Sequence, residues 1–448
     1  MKKIYFVCFL ISNILLYGQS SITPWPDWAK SSTIYEINIR QYSKKGDIKS
    51  VQKDLPRLKN LGVDILWLMP IHPIGKIKSK GEWGSPYSVK DYQGVHPKYG
   101  TIMDLKNFVN TAHKMGMRVI LDWVGNHTAW DHPWIKSNPE FYVKRGDTIS
   151  HAANNDGSLT DWYDVADLDY ENRNMRKKMI DALSFWVREA KIDGFRCDVG
   201  GMMPVDFWNE AKIALAKINP KIYMLVEWEE DSKLIDEGGF HTLYGWSMHS
   251  LSKEIAKGKK NATDFETYLN NRRLKYPAQT TFMYFTSNHD ENTWSDIASK
   301  RYGKAEDLMS VLTFTMEGGI PLIYNSQESG EKHSLKFFDK DEINWGNYGK
   351  TDFYKKLIQL KHQYKPLWNS TYGSKMDRIN QGDDVYAFVR KKGNQAVWVI
   401  LNFSDKPQVT NLTEEINGAR DWFSNTPYNY SLDKEISLEP FEYKVIVK

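Results

Sequence analysis

Eight short runs rich in apolar and β-branched residues recur along the chain, and amphipathic helical patterns separate most of them. The apolar runs are residues 33–40, 63–70, 117–124, 194–199, 222–228, 241–248, 281–288 and 320–325. The helical patterns cover residues 48–60, 103–115, 175–190, 205–218, 305–316 and 352–364. Buried strands that alternate with helices are typical of α/β folds with a parallel sheet. Eight such units predict a closed (β/α)8 TIM barrel, whose active site lies at the C-terminal ends of the strands.

Two segments interrupt this alternation. Residues 128–167, rich in Asp, Asn, His and Trp, are far longer than an ordinary loop and predict a small subdomain inserted after the third strand. After residue 364 the helical patterns stop, and residues 385–390, 396–402 and 443–447 are typical of antiparallel strands. We therefore predict a barrel of residues 20–127 and 168–364, an inserted subdomain of residues 128–167 and a C-terminal β-sandwich of residues 365–448.

The N-terminus resembles an export signal more than a part of the fold. Lys2 and Lys3 precede an apolar stretch, residues 4–17, and the small residues Gly18 and Ser20 follow it. The stretch is too short to span a bilayer, which takes roughly 20 apolar residues. We therefore predict a Sec signal peptide of residues 1–19 and a mature protein that is periplasmic or secreted.

Charge and cysteine content exclude several classes of protein. The 60 Lys and Arg residues nearly balance the 56 Asp and Glu residues, and the charge of +4 is spread without a long basic run, so we expect no nucleic-acid partner. No stretch is long and apolar enough for a transmembrane segment, and we expect a monomer. Cys197 is the one cysteine beyond the signal peptide, so we expect no disulfide and a core position for Cys197.

Charged residues gather at the predicted C-terminal strand ends. They are three carboxylates, one arginine and two histidines: Asp198, Glu227, Asp290, Arg196, His127 and His289. Each alone would suit a surface charge or a structural hydrogen bond, but together they indicate one site. A retaining glycosidase needs a nucleophilic carboxylate and a protonated one about 5–5.5 Å away, and Asp198 and Glu227 end adjacent strands.

The electrostatic surroundings predict different tasks for these two carboxyls. We expect Arg196, two residues before Asp198 on the same strand face, to keep Asp198 ionised. We expect burial beside Trp228 to raise the pKa of Glu227 and keep a proton available. Asp290 could bind sugar hydroxyls.

Four segments, residues 122–127, 194–198, 227 and 288–290, resemble the four signature regions of the α-amylase family (glycoside hydrolase family 13), in the same order and on the same strands. The resemblance implies that Asp198 is the nucleophile, Glu227 the general acid/base and Asp290 the transition-state stabiliser. It also implies that Arg196, His127 and His289 hold the sugar at the cleavage site. Residues 85–92 resemble the segment after the second strand, which implies that Tyr87 stacks on that sugar.

The resemblance also implies a calcium site. Asn126 matches a common ligand and Asp167 resembles another, and oxygen ligands of this kind suit Ca²⁺. The alternative is that both side chains only cap turns.

One departure from the family concerns the leaving-group side. Gly201 and Met202 stand where many α-amylases carry a Lys-His pair. Fewer hydrogen bonds there would leave more of the binding to aromatic stacking, for which Trp130, Trp134 and Trp162 are candidates. The alternative is that these tryptophans only pack the subdomain.

The sequence therefore favours an exported, endo-acting α-amylase that cleaves α-1,4-glucosidic bonds of starch-like glucans or maltooligosaccharides with retention. The alternative is a cyclomaltodextrinase- or neopullulanase-like hydrolase, or an α-glucan transglycosylase, on the same machinery. A glucan-binding relative without activity would lack the carboxylates, and all three are present.

Overall fold

Eight parallel strands close into a barrel in the computed structural model, which describes residues 24–448. We number them β1 to β8: Ile34–Ile37, Ile65–Leu68, Arg118–Trp123, Gly194–Cys197, Tyr223–Val226, Thr242–Tyr244, Thr281–Tyr284 and Gly319–Tyr324. Each strand pairs in parallel with the next, and β1 closes the barrel against β8 with Ile34 opposite Leu322. The predicted barrel is confirmed; the predicted signal peptide, residues 1–19, lies outside the described residues.

The barrel interior changes from apolar to polar along the strands. Its lower part is filled by Ile34, Ile65, Ile120, Leu225, Ile320 and other apolar side chains. Inward-facing residues alternate along a strand, so the next inward positions on three strands are Glu36, Asp122 and Arg196, all fully buried. The C-terminal mouth of the barrel is therefore lined by charged groups.

Helices surround the barrel. Those that follow β1 to β4 are Ile39–Tyr42, Ile48–Lys53 and Leu55–Leu61, then Ile102–Lys114, then Trp134–Ser137 and Arg173–Glu189, then Val205–Ala216. Those after β5 to β8 are Lys233–Asp236, then Trp246–Ala256 and Ala262–Lys275, then His289–Trp294, Ala298–Tyr302 and Glu306–Thr315, then Thr351–Gln363. None of the helices in residues 24–448 is long and apolar enough to cross a membrane.

Local signals explain several helix boundaries. Thr101 and Asp104 form a reciprocal capping box at the start of Ile102–Lys114. The sequence pattern of residues 48–60 predicted one helix, but Pro56 lies in the first turn of a second helix, so the chain breaks at Asp54. The predicted strand 241–248 is too long, because Gly245 precedes the helix that starts at Trp246.

The inserted segment leaves and returns through a two-stranded ladder. His127–Ala129 pairs antiparallel with Val165–Asp167, so that His127 lies opposite Asp167. A second hairpin joins Lys144–Arg145 to Thr148–Ile149. These pairings place the segment between β3 and its helix, beside the mouth of the barrel.

The C-terminal region consists of two antiparallel sheets. Six strands form the larger sheet in the order Asp377–Arg378, Val385–Lys392, Gln395–Asn402, Tyr443–Val447, Ile416–Asp421 and Pro427–Tyr430. Gln408–Thr410 and Ile436–Leu438 form the smaller sheet. Apolar side chains of both sheets, among them Ile400 and Leu438, share one core, as the β-sandwich prediction requires. Cys197 is a free, buried thiol in the core of the barrel region.

Candidate active site

Arg196, at the centre of the barrel mouth, contacts three carboxyl groups. Its Nη1 lies 2.9 Å from Asp122 Oδ1 and 2.8 Å from Asp198 Oδ1, and both contacts are hydrogen bonds. Its Nη2 lies 2.8 Å from Glu227 Oε2, an ion pair without hydrogen-bond alignment. Nε donates to Tyr244 Oη at 3.0 Å. One buried cation therefore joins the ends of β3, β4 and β5.

Burial dominates the ionisation of the two predicted catalytic carboxyls. It raises the pKa of Asp198 to about 6 although Arg196 opposes the shift. It raises the pKa of Glu227 to about 7, again against Arg196 and with help from Asp198. The sequence predicted that Arg196 keeps Asp198 ionised; Arg196 does lower its pKa, but desolvation is the larger effect. Glu227 keeps its proton to a higher pH than Asp198.

The residue after Asp198 has an unusual backbone conformation. Val199 has φ +37° and ψ 41°, in the left-handed region, which β-branched residues rarely adopt. In this conformation the Val199 N–H donates to Glu227 Oε2 at 2.9 Å. The hydrogen bond orients the Glu227 carboxyl, and no local sequence pattern predicted it.

His289 follows β7, two strands along the ring from β5, and lines the same cleft as Glu227. Asn288 caps the helix His289–Trp294, which begins shortly after β7, and so places His289 and Asp290 in the first turn. His289 Nδ1 lies 2.5 Å from Glu36 Oε1, and Nε2 lies 3.4 Å from Asp290 Oδ2. Burial opposes a charge on His289, but Asp290 and Glu36 together outweigh it and raise the pKa of His289 to about 9. His289 is therefore a cation at neutral pH.

Tyr87 is held by two neighbouring rings and at its hydroxyl. Its ring lies nearly parallel to those of His289 and Phe337, at 5.4 Å and 6.0 Å between ring centroids, and it lines the cleft. Its hydroxyl donates to Asp122 Oδ2 at 3.0 Å and lies 2.8 Å from His289 Nε2. The ring is thus fixed before any substrate arrives, as a sugar-stacking platform requires.

A cleft of about 420 Å³ opens above these residues. Most of the predicted site residues line it: Tyr87, His127, Asp198, Glu227, His289 and Asp290. Arg196 lies below them, and burial lowers the pKa of His127 to about 4, so that ring is neutral. The structure therefore brings all seven predicted catalytic and sugar-binding residues together.

Sequence reasoning missed several cleft residues and overestimated others. Lys80, Asp161, Phe337 and Phe338 line the cleft from loops, and Trp294 from the end of the helix His289–Trp294; none of them carries a strand-end pattern. Of the three candidate tryptophans, Trp162 lines the cleft. Trp134 packs against Tyr92 and Phe141, and Trp130 donates its indole N–H to the carbonyl of Tyr163.

Comparison with known proteins agrees with this geometry. The family model described as "Alpha amylase, catalytic domain" matches residues 25–352. The chain belongs to the α-amylase family. It is therefore a glycoside hydrolase with a carbohydrate substrate.

Individual members of the α-amylase family differ in activity. The chain is 25% identical to an α-amylase of Haloarcula japonica over 88% of its own length and 58% of that relative's. It is 25% identical to neopullulanase 2 of Thermoactinomyces vulgaris over 90% of its own length and 74% of that relative's. The structure of a noncanonic maltogenic α-amylase from Thermotoga neapolitana superposes with a TM-score of 0.82 and 28% identity, over 94% of this chain and 99% of that one.

The departure from the family's Lys-His pair has a structural counterpart. The indole of Trp228 lies against the main chain at Gly201, so closely that a Cβ at residue 201 would lie 2.1 Å from Trp228 Cδ2. Real Cβ atoms do not approach other atoms to this distance, so glycine is required at residue 201. Beside Glu227, an aromatic side chain therefore stands close to where many α-amylases have charged groups.

The two predicted calcium ligands lie on adjacent paired segments. Asn126 precedes His127, which pairs with Asp167 in the ladder. Within residues 24–448, no group of three or more His, Cys, Asp and Glu side chains is placed to hold a metal. Because Ca²⁺ takes 6–8 oxygen ligands, Asn126 and Asp167 fit only part of a shell, and main-chain carbonyls or water would have to complete it.

Proposed function

We propose that this protein hydrolyses α-1,4-glucosidic bonds of starch-like α-glucans and maltooligosaccharides with retention of the anomeric configuration. The observation that carries the proposal is the pairing of Asp198 and Glu227 on one guanidinium, that of Arg196. Two carboxyls held by neighbouring nitrogens of one side chain are close together. This favours the separation of about 5–5.5 Å in retaining enzymes over the wider one in inverting enzymes.

In the first step Asp198 attacks the anomeric carbon while Glu227 gives its proton to the glycosidic oxygen. The bond between that carbon and that oxygen breaks, and the leaving sugar departs with a new hydroxyl. In the second step Glu227, now a carboxylate, takes a proton from water, and the water oxygen displaces Asp198 from the glycosyl ester. The pKa of Glu227, raised to about 7 by burial, suits a group that gives and then accepts a proton.

The residues across the cleft would position the sugar and respond to its charge. The oxocarbenium-like transition state is positive, and the Asp290 carboxylate faces it from the His289 side of the cleft. The His289 cation would hold the Tyr87 hydroxyl through Nε2, and Tyr87 would stack on the sugar ring. Val199, through its N–H, holds the Glu227 carboxyl in place.

The alternative is a hydrolase of the cyclomaltodextrinase or neopullulanase type, or a transglycosylase. The observation that favours it is the apolar surround of Trp228 and Gly201 on the leaving-group side. A surface of this kind excludes water better than a charged pair and favours a sugar acceptor. We also propose export through the Sec pathway, and partial coordination of Ca²⁺ by Asn126 and Asp167.

Proton NMR of the first products from maltoheptaose tests the proposal. We expect the new reducing ends to appear first as the α-anomer, which then mutarotates. An initial β-anomer would contradict the role of Asp198 as nucleophile. Products longer than the substrate would show that transglycosylation, rather than hydrolysis, is the main activity.

A further inference from the structure

A loop after β2 crosses one end of the cleft, and we call residues 76–84 the strap. On one side the strap is bound to the inserted subdomain. Lys80 Nζ lies 3.1 Å from Asp164 Oδ1 and donates to the carbonyl of Asp161 at 3.0 Å. The ion pair is mostly buried, with 20% of the Lys80 side chain and 6% of the Asp164 side chain exposed. The main-chain N–H of Lys76 adds a contact of 3.2 Å to Asp131.

On its other side the strap is bound to the loop after β8. Glu82 N–H donates to Asp339 Oδ1 at 2.7 Å, and Trp83 N–H donates to the carbonyl of Phe338 at 3.1 Å. Gly81 has φ +66°, and a Cβ there would lie 2.5 Å from the Cβ of Phe338. The subdomain, the strap and the loop after β8 therefore form a continuous arch, and Lys80, Asp161 and Phe338 all line the cleft under it.

The order of the strands shows which end of the cleft the arch covers. In the ring of eight strands β5, which Glu227 directly follows, lies opposite β1. The strap follows β2 and the Phe338 loop follows β8, the two neighbours of β1. Glu227 must face the oxygen of the leaving group. The leaving sugar therefore departs on the β5 side, and the arch stands on the side of the sugar that Asp198 attacks.

We propose that the arch closes the non-reducing end of the substrate site, so that the enzyme works in exo mode on free chain ends. This inference depends on the proposed function and replaces the endo-acting mode that the sequence favoured. A chain could not continue beyond the arch, so each cleavage would start from a free non-reducing end and release one short product. Internal bonds of a long glucan, and cyclodextrin rings, which have no chain end, would be poor substrates.

Lys80 is the residue that closes the arch toward the subdomain. It makes an ion pair, a hydrogen bond to a carbonyl and a contact of 4.4 Å with the Tyr163 ring. Removal of its side chain would leave Asp164 without this partner and loosen the strap at the cleft. We expect Lys80→Ala to admit longer glycone chains. Lys76→Ala is the matched control, because it changes the same strap but keeps the main-chain N–H that contacts Asp131.

The test compares two maltoheptaoses with a fluorescent label at the reducing end, one of which carries an acetal cap on its non-reducing glucose. Chromatography follows the products of the wild type, Lys80→Ala and Lys76→Ala. We expect the wild type to cleave the capped substrate about 100-fold more slowly than the uncapped one. We expect Lys80→Ala to raise the ratio of capped to uncapped rates about tenfold, and Lys76→Ala to leave it unchanged.

Equal rates on both substrates, with mixed products from the first turnovers, would overturn the exo assignment while the proposed hydrolysis stands. Rapid opening of β-cyclodextrin by the wild type would also overturn it. Cleavage of neither maltoheptaose, with the same preparation folded by circular dichroism, would overturn the proposed function and this inference with it.

Discussion

His289 Nδ1 lies 2.5 Å from Glu36 Oε1, so a residue that follows the seventh strand is bound to one inside the first. Both side chains are buried, and the other ring nitrogen of His289 faces Tyr87 and Asp290 in the cleft. The carboxylate of Glu36 thus fixes the orientation of the ring and favours its charged form. This second carboxylate beside His289 was not among the predicted site residues.

Glu36→Gln should therefore lower the pKa of His289. Burial lowers this pKa, and in the variant only Asp290 would remain to raise it. We expect kcat/KM to fall by about tenfold near pH 8 and by less near pH 6, where His289 stays protonated. The measurement is the pH profile of kcat/KM on maltoheptaose, with NMR titration of the His289 ring.

The matched control for Glu36→Gln is Asp64→Asn, which removes a carboxylate 2.8 Å from His362, outside the cleft. It should leave the pH profile unchanged.

The raised pKa of His289 also predicts that the stability of the wild type falls as pH rises from about 6.5 to about 9, since the native state binds more protons than the unfolded state in this range. A Glu36→Gln profile parallel to that of the wild type would contradict the role of Glu36.

The two carboxyls to which we assign catalysis predict a bell-shaped dependence of activity on pH. Asp198 must be ionised to attack, so activity should fall as pH drops below about 6. Glu227 must be protonated to donate, so activity should fall as pH rises above about 7. On a dinitrophenyl maltoside, whose leaving group needs no proton, the first step should lose the alkaline limb. An alkaline limb of equal depth in pre-steady-state bursts on both substrates would argue against Glu227 as the acid.

Asp198→Asn and Glu227→Gln should abolish most activity without loss of stability. Removal of a general acid costs about 10²–10⁴-fold in rate, and loss of the nucleophile should cost at least as much. Both carboxyls are desolvated, so a neutral amide of the same shape should leave the melting temperature equal or higher. Turnover and melting curves are measured together. Asp206→Asn, which alters an exposed partner of Arg176, is the control and should keep full activity. If a variant at residue 198 or 227 is nearly as active as the wild type, that residue does not have the catalytic role assigned to it.

Gly201→Ala should displace the Trp228 ring, because the new Cβ would lie 2.1 Å from Cδ2. We expect a loss of about 1–3 kcal/mol in the free energy of unfolding, as for other overpacked sites. We also expect a higher KM for maltooligosaccharides, since Trp228 stands next to Glu227, the proposed acid/base. Gly349→Ala is the control, because Gly349 is exposed and its new Cβ would meet only the side chain of Asn347 at 3.2 Å. A Gly201→Ala variant that matches this control in KM would remove Trp228 from the leaving-group side.

Chelation should lower the melting temperature if Asn126 and Asp167 take part in a calcium site, because a bound ion stabilises only the folded state. EDTA and then excess Ca²⁺ are added to the wild type, Asp167→Asn and Asp169→Asn, and melting is followed by calorimetry. Asp167→Asn should remove the response to Ca²⁺, whereas Asp169→Asn, two residues away, should retain it. If neither EDTA nor excess Ca²⁺ shifts the melting curve of the wild type, the protein has no such site.

The sequence determined the barrel and most of the residues that the structure brings together at its mouth. The periodicity of strands and helices is a local property of the chain. Polar residues at the strand ends, such as Asp198 and Glu227, come together at the mouth once the strands close into a barrel. The ends of individual helices and strands were harder to predict, because the apolar patterns continue across Pro56 and Gly245, where the chain changes from one element to the next.

Only the tertiary structure decided which groups face each other. Glu36 meets His289 because β1 closes against β8 and lies two strands from β7. The left-handed backbone of Val199 and the close contact of Gly201 with Trp228 arise from packing between β4 and β5. The arch over the cleft joins Lys80, Asp164 and Phe338, which are far apart in the chain and follow no common period. Contacts of this kind depend on the position of three loops after folding, and no local pattern of residues encodes that position.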